Sequence, residues 1–219
     1  MRSDREVARR LVAVGVATLH EALGRRALLA AIGLLVGEPF AGRALTVGLP
    51  AGDNLGLHLA LEEAEPGSVV CAASAGRGLY GVVGELLLEF ARARGVAGLV
   101  VDDGIRDTAA LVPPPSIAAH GFTARGTVKR RLRHSVGADV SIGGALVVAG
   151  DWLVCDADGA CVVPEGEVED MLERAESRLV AEEGVREQLA AGLTTREILG
   201  LATCAPASVA STGDSVERA

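Results

Sequence analysis

The spacing of hydrophobic positions changes along the chain. Between residues 4 and 23 they recur at Val7, Leu11, Val14, Val16 and Leu19, which predicts two short helices broken near Gly15. Residues 27–42 are apolar but interrupted by Gly33, Gly37, Pro39 and Gly42, and 44–49 reads as a strand. A helix over 54–64 follows the turn Pro50-Ala51-Gly52-Asp53 and stops at Pro66-Gly67. The unbroken apolar run 68–72 is a buried strand, and 74–81 is a glycine-rich loop. The chain is organised around 81–107, GVVGELLLEFARARGVAGLVVDDGIRD. Here Gly84 precedes strong helix formers over 85–94, and Gly95 ends them. Arg92 and Arg94 fall in the last turn, where cations suit the helix dipole. Residues 97–101 form a buried strand that runs into a sharp turn, Asp102-Asp103-Gly104, and then into Arg106–Asp107.

Downstream, 108–112 reads as a short helix stopped by Pro113-Pro114-Pro115, and 116–119 as a strand. Short strands follow at 140–142, 145–148, 152–155 and 160–163. Gly143-Gly144, Gly150-Asp151 and Asp156-Ala157-Asp158-Gly159 supply their turns. A long helix covers 167–189, and the small polar residues 203–219 read as a disordered tail. Helices alternate with strands first, and strands then cluster. That order predicts an α/β domain whose sheet is part parallel and part hairpin. The expected division is a catalytic domain over 1–166, a helical extension over 167–202 and the tail.

Aromatic residues make up only 2% of the chain, so the core must be built from Leu, Val and Ala. One Trp, one Tyr and three Phe also leave no platform for stacking bases, and a net charge of −8 offers no basic field to a polyanion. Nucleic acid is therefore not an expected partner, and an anionic ligand must be held by a local site. The four cysteines lack CxxC spacing; Cys71, Cys155 and Cys161 sit in apolar runs and read as buried hydrophobes. Charged residues near Met1 and the absence of an 18-residue uncharged apolar stretch predict neither leader nor membrane span, hence a reduced cytoplasmic setting.

The adjacent pair Arg106 and Asp107 is the strongest chemical candidate. Arginine offers a planar fork for a carboxylate, and aspartate an oxygen for a hard cation. The pair reads equally well as a solvated cation beside the N-cap of a helix starting at Thr108. Asn54 and His58, four apart, share one helix face, though Asn54 also suits a plain cap and His58 a core or surface histidine. The backbone N–H groups of Leu86 and Leu87, just behind Gly84, are placed to hold a carboxylate at a helix start.

Taken in order, a set of motifs resembles the class II pyruvate aldolases that cleave 4-hydroxy-4-methyl-2-oxoglutarate and 4-carboxy-4-hydroxy-2-oxoadipate. The regulator of ribonuclease activity A proteins share that family's fold. The motifs are Ala17-Thr18-Leu19-His20-Glu21-Ala22, Gly52-Asp53-Asn54 with His58, Pro66-Gly67, Gly84-Glu85-Leu86-Leu87 and Gly104-Ile105-Arg106-Asp107. Arg125-Gly126-Thr127-Val128-Lys129, Gly150-Asp151 and Asp156-Ala157-Asp158-Gly159 through Pro164 complete the set. The resemblance implies a three-layer, swivelling-type β/β/α fold with a C-terminal helical extension. It also implies a homotrimer or dimer of trimers, and a divalent metal, Mg2+ with Mn2+ as the other choice. Arg106 matches the substrate-binding arginine and Asp107 the sole protein ligand of the metal. Gly84, Glu85, Leu86, Leu87, Asn54 and His58 fall at the substrate. Glu85 stands where these aldolases usually carry aspartate. Glu182 or Glu183, on the long helix, is implied to reach a neighbouring subunit's site as a further catalytic acid. The segment Thr194-Thr195-Arg196-Glu197 and the tail depart from the pattern.

The implied activity is retro-aldol cleavage of a 4-hydroxy-2-oxo acid to pyruvate and a second oxo acid, with oxaloacetate decarboxylation on the side. The single lysine, Lys129, lies beside Arg130 and Arg131 rather than in an apolar pocket, so a metal is favoured over a Schiff base. The alternative is a non-catalytic binding protein of the regulator type. A methyltransferase would need a glycine-rich nucleotide loop that 73–84 does not form, and His120 and His134 lack the motif of a phosphohistidine carrier.

Overall fold

The computed structural model describes residues 3–76, 79–130 and 133–202. It begins with helices α1 (Asp4–Val14) and α2 (Val16–Ala22), then strands β1 (Gly33–Val36) and β2 (Phe40–Leu49). Next come α3 (Leu55–Glu63), β3 (Val69–Ser74), β4 (Gly81–Val83), α4 (Glu85–Arg94) and β5 (Gly98–Ile105). A single 3-10 turn, Thr108–Ala110, leads to β6 (Ser116–Phe122) and β7 (Ser135–Val136). The strands β8 (Val140–Ile142), β9 (Ala145–Val147), β10 (Trp152–Asp156) and β11 (Gly159–Val163) follow, then helices α5 (Val168–Ala190) and α6 (Thr195–Leu199).

The main sheet has the order β1-β6-β5-β3-β2-β10-β11. Its centre, β2-β3-β5-β6, is parallel, and β1, β10 and β11 add antiparallel edges. β1 lies against β10 and β11, and Leu28 bridges to Cys161, so the sheet nearly closes on itself. Strand residues explain why. Along β3, Val70 and Ala72 face the core under α3 and α4, while Val69 and Cys71 face the interior filled by Ile142 and Val147. Along β10, Leu153 and Cys155 share that interior, while Trp152 and Val154 face a third core with α1, α2 and α5. Each central strand is buried on both faces, which is why the sequence shows unbroken apolar runs there. The result is the expected three-layer α/β arrangement with a helical C-terminal part.

The chain divides into two compact units, Met1–Leu179 and Val180–Ala219. This division falls later than the boundary at 166 expected from the sequence, because the first part of α5 belongs to the first unit. Met171, Leu172 and Ala175 are buried in the third core, and Glu176 takes two hydrogen bonds from Arg10 of α1, at 2.8 and 2.9 Å. In the second unit, α6 opens with a capping box between Thr194 and Glu197. The tail 203–219 lies outside the described residues.

Three local expectations are corrected. The sharp turn at Asp102-Asp103-Gly104 is strand: β5 continues through Ile105 because β4 and β6 both pair with its far end. The helix at 108–112 is one 3-10 turn. Residues 81–83, where the loop read over 74–81 ends, and 33–36, read as part of a broken apolar run, are strands whose partners are distant in sequence. Cys71, Cys155 and Cys161 are buried, and burial pushes each thiol up to about 12, so they are packing residues rather than nucleophiles.

Candidate functional site

Arg106 and Asp107 leave the end of β5 beside the start of α4. Glycines make room for them. A Cβ at Gly84 would stand 2.3 Å from Asp107 Oδ2 and 3.1 Å from Arg106 Nε. A Cβ at Gly81 would stand 2.8 Å from Arg106 Cβ, and one at Gly126 would stand 3.3 Å from Nη1. Gly84 has extended backbone, so close approach and not φ requires a glycine there. Three glycines from two segments, 81–84 and 126, thus form a groove in which the guanidinium lies. It makes no hydrogen bond with a described residue; Nε is buried, with Asp107 Oδ2 3.5 Å away.

Asp107 has φ +59°, a left-handed conformation that aspartate tolerates better than most residues. It does not cap the 3-10 turn that follows. Its carboxylate turns back to accept the Glu85 N–H at 3.3 Å, at the N-terminus of α4. The N–H groups of Leu86 and Leu87 precede the first bond of that helix, which Leu88 N–H makes to Gly84 O at 3.0 Å. Leu86 is 82% exposed and Leu87 belongs to the core, so only their amides can serve a ligand. Arg106, Asp107, Glu85 and the α4 N-terminus therefore share one corner. The Arg106 and Asp107 side chains are 38% and 45% exposed. Magnesium typically binds through one or two carboxylates and keeps several waters. Asp107 with the exposed Glu85 beside it is such a donor set. Among the described residues no three His, Cys, Asp or Glu converge as a full protein cage.

Asn54 does not cap α3. Its Nδ2 donates to Val82 O at 2.9 Å, tying α3 to the strand that leads into Gly84. Asp53 does the capping: Oδ1 accepts from Leu55 N at 2.9 Å, while Oδ2 accepts from Arg130 N at 2.7 Å. His58, one turn along α3, is partly buried. Burial first, and the Lys129 cation second, lower its pKa below 6.5, with Glu62 opposing them. An unfolded chain therefore binds a proton at His58 more readily than the folded one, and stability falls as pH drops through about 6.5. Thermal melts between pH 7.5 and 5 should show this decline, and His58→Gln should flatten it. Lys129 itself is exposed, which agrees with its charged sequence context.

Two contributors to the site were given no role in the sequence reading, although Arg125 stands in one of its motifs. Arg125 stacks over the Tyr80 ring, 3.9 Å from its centroid, and donates to Tyr80 Oη at 2.8 Å. Gly81 N–H donates to Arg125 O at 2.8 Å, so this segment closes the groove beside Arg106. The glycines that directly follow Tyr80 and Arg125 were the available signal. Glu182 and Glu183 belong to the second unit, where Arg186 lies 3.8 and 2.7 Å from their carboxylates.

This architecture is a known one. Residues 16–162 match the model of the RraA-like (Aldolase/RraA) family, and the chain belongs to that family. A protein of Halalkalibacterium halodurans named "Putative 4-hydroxy-4-methyl-2-oxoglutarate aldolase" is 35% identical over 145 residues, 65% of this chain and 68% of that one. Streptomyces coelicolor RraAS2, titled an unusual member of the RNase ES inhibitor RraA protein family, superposes with a TM-score of 0.71 at 31% identity. That match covers 85% of this chain and 98% of the other. An uncharacterised protein from Pseudomonas syringae shares the fold at 24% identity, with a TM-score of 0.77 over 91% of this chain and 95% of its own. An aldolase-type activity is supported by the named relatives. No helix of the described residues is long and apolar enough to cross a membrane.

Proposed function

We propose that the protein is a divalent-metal-dependent pyruvate aldolase. It cleaves a 4-hydroxy-2-oxo acid to pyruvate and a second oxo acid and decarboxylates oxaloacetate as a side activity. The observation that carries this reading is the Arg106 guanidinium, whose buried Nε has no hydrogen-bond partner, set in a glycine groove next to an exposed carboxylate and free helix amides. In an acidic chain such a corner is a local site for a 2-oxo acid.

The substrate carboxylate takes the N–H groups of Leu86 and Leu87 and one edge of the Arg106 fork. Arg106 also faces the 2-oxo oxygen, where negative charge grows as the C3–C4 bond breaks. The C4 hydroxyl proton passes through water to Glu85, the electron pair of the broken O–H bond forms the second C4–O bond of the new carbonyl, and the C3–C4 pair becomes the pyruvate enolate. Protonation at C3 completes pyruvate. Loss of CO2 from oxaloacetate leaves the same enolate, which is why both reactions belong to one site. Mg2+ or Mn2+ would be held by Asp107 with Glu85 alongside, and would supply Lewis-acid polarisation of the 2-oxo group. Glu182 or Glu183 would complete the site of a neighbouring subunit in a homotrimer or dimer of trimers.

The test is a panel of 4-hydroxy-2-oxo acids and oxaloacetate, with Mg2+ or Mn2+, coupled to pyruvate detection. Pyruvate release that stops with excess chelator is expected. No pyruvate from any member would favour a ribonuclease-regulator type of binding protein. A chain ending at Leu179 should lose turnover. If it stays oligomeric and fully active, Glu182 and Glu183 have no part in the reaction.

A further inference from the structure

Asp103 has no place in the chemistry described above, yet it is only 2% exposed. Its Oδ1 accepts two N–H groups, from Tyr80 at 2.5 Å and from Gly104 at 3.0 Å. Its Oδ2 is buried and has no hydrogen-bond partner among the described residues. Burying a carboxylate with one oxygen unpaired costs free energy, so packing does not account for this residue. Its place in the sheet does. The β5–β6 register shifts between Val101 and Gly104, and at this irregularity Asp103 reaches Tyr80, the residue that enters β4.

The backbone it reaches is strained. Leu79 has φ +44°, a left-handed conformation that a leucine keeps only where its surroundings impose it. Tyr80 is then held at both its backbone groups. Its O accepts Val82 N–H at 2.8 Å and Gly104 N–H at 3.0 Å. Its N–H has, among the described residues, Asp103 as its one acceptor. Gly81 comes next, and a Cβ there would stand 2.8 Å from Arg106 Cβ and 3.0 Å from its Cγ and Cδ. The stem of Arg106 therefore rests on the segment that Asp103 holds.

We propose that Asp103 is a positioning residue for the reaction: it holds the strained Leu79–Tyr80 backbone against β5 and so sets the floor that aims Arg106. This inference rests on the aldolase reading of the Arg106 corner. Asp103 meets neither substrate nor metal and acts through Gly81. A shift of about 1 Å in a group that orients a substrate can cost roughly 100-fold in rate.

Three variants of the full-length protein test this: Asp103→Ala, Asp103→Asn, and Asp103→Ala combined with Leu79→Gly. Alanine removes the acceptor, whereas asparagine keeps an oxygen for Tyr80 N–H. Glycine takes a left-handed φ without strain, so the segment keeps its path without the tether. Leu79 is 47% exposed, so its removal leaves the core untouched. One readout is the NMR signal of Arg106 Nε–H, assigned by its absence in Arg106→Lys. The other is kcat and KM for pyruvate release from oxaloacetate with Mg2+. Asp103→Ala should move the Nε–H signal and lower kcat roughly tenfold or more. Asp103→Asn should keep the natural signal and most of the rate. The double variant should regain both, which the loss of a merely structural group would not allow. If Asp103→Ala does not fold, the asparagine and double variants carry the test. The proposal is overturned if folded Asp103→Ala keeps the natural signal and kcat, if Asp103→Asn loses as much as alanine, or if Leu79→Gly restores nothing. Should the natural protein release no pyruvate from any substrate, the aldolase reading fails, and the Nε–H signals alone decide whether Asp103 positions Arg106.

Discussion

Replacing Arg106 by lysine is expected to lower kcat/KM roughly 30- to 1000-fold, about 2–4 kcal/mol of transition-state stabilisation, if it acts as an oxyanion donor. The reason is shape as much as charge. Arginine presents two parallel N–H groups to a carboxylate, whereas lysine is a point charge on a flexible stem. The groove formed by Gly81, Gly84 and Gly126 fits the planar group along its length, from Cβ to Nη1. A lysine there leaves part of that groove empty and places one ammonium where two donors stood. Because the guanidinium makes no hydrogen bond with a described residue and lysine keeps the charge beside Asp107, the variant should fold normally. Both kcat and KM should change, since in the proposed mechanism one edge of the fork holds the substrate and the other meets charge that develops only in the reaction. A metal titration of the variant checks that Asp107 is undisturbed. Near-native kcat/KM for every cleaved substrate would place the site elsewhere.

Asp107→Asn is expected to remove metal-dependent turnover while leaving the fold intact. Asparagine accepts the left-handed backbone at φ +59° as readily as aspartate does, whereas alanine adds strain. Its side-chain oxygen can still take the Glu85 N–H that Asp107 accepts at 3.3 Å. What it lacks is the negative charge that a hard cation needs. Loss of Lewis-acid polarisation is worth several kcal/mol, so activity should fall by roughly 100-fold or more. Calorimetric Mn2+ binding should vanish in parallel, and the melting temperature without metal should match the natural protein. Full activity of the natural protein in excess chelator would refute the metal reading.

Most of the helices and central strands were legible because their signals are local. The apolar runs 68–72 and 97–101 are short and bounded by glycine, proline or acid, which favours strands buried on two faces, and the glycines at 84 and 95 bracket one amphipathic helix. The adjacency of Arg106 and Asp107 was visible for the same reason. The short strands β1 and β4 were not, since three or four residues carry no period and their hydrogen-bond partners are remote. The role of Asn54 was equally hidden. Nothing local separates a cap from a residue whose amide reaches Val82, and packing alone gave the cap to Asp53.

The order and type of the main elements, the acidic surface and the one arginine–aspartate pair thus follow from residue patterns within a window of some ten positions, which set propensity and burial. Tertiary structure decided the rest. It extended β5 past Asp103, turned the Asp107 carboxylate onto the α4 N-terminus and lined Arg106 with glycines drawn from two distant segments. It also buried Asp103 against the Tyr80 amide. Each of these depends on which distant backbone comes to lie alongside. That is settled by the closing of the sheet around its interior core, a cooperative outcome that no single stretch of sequence encodes.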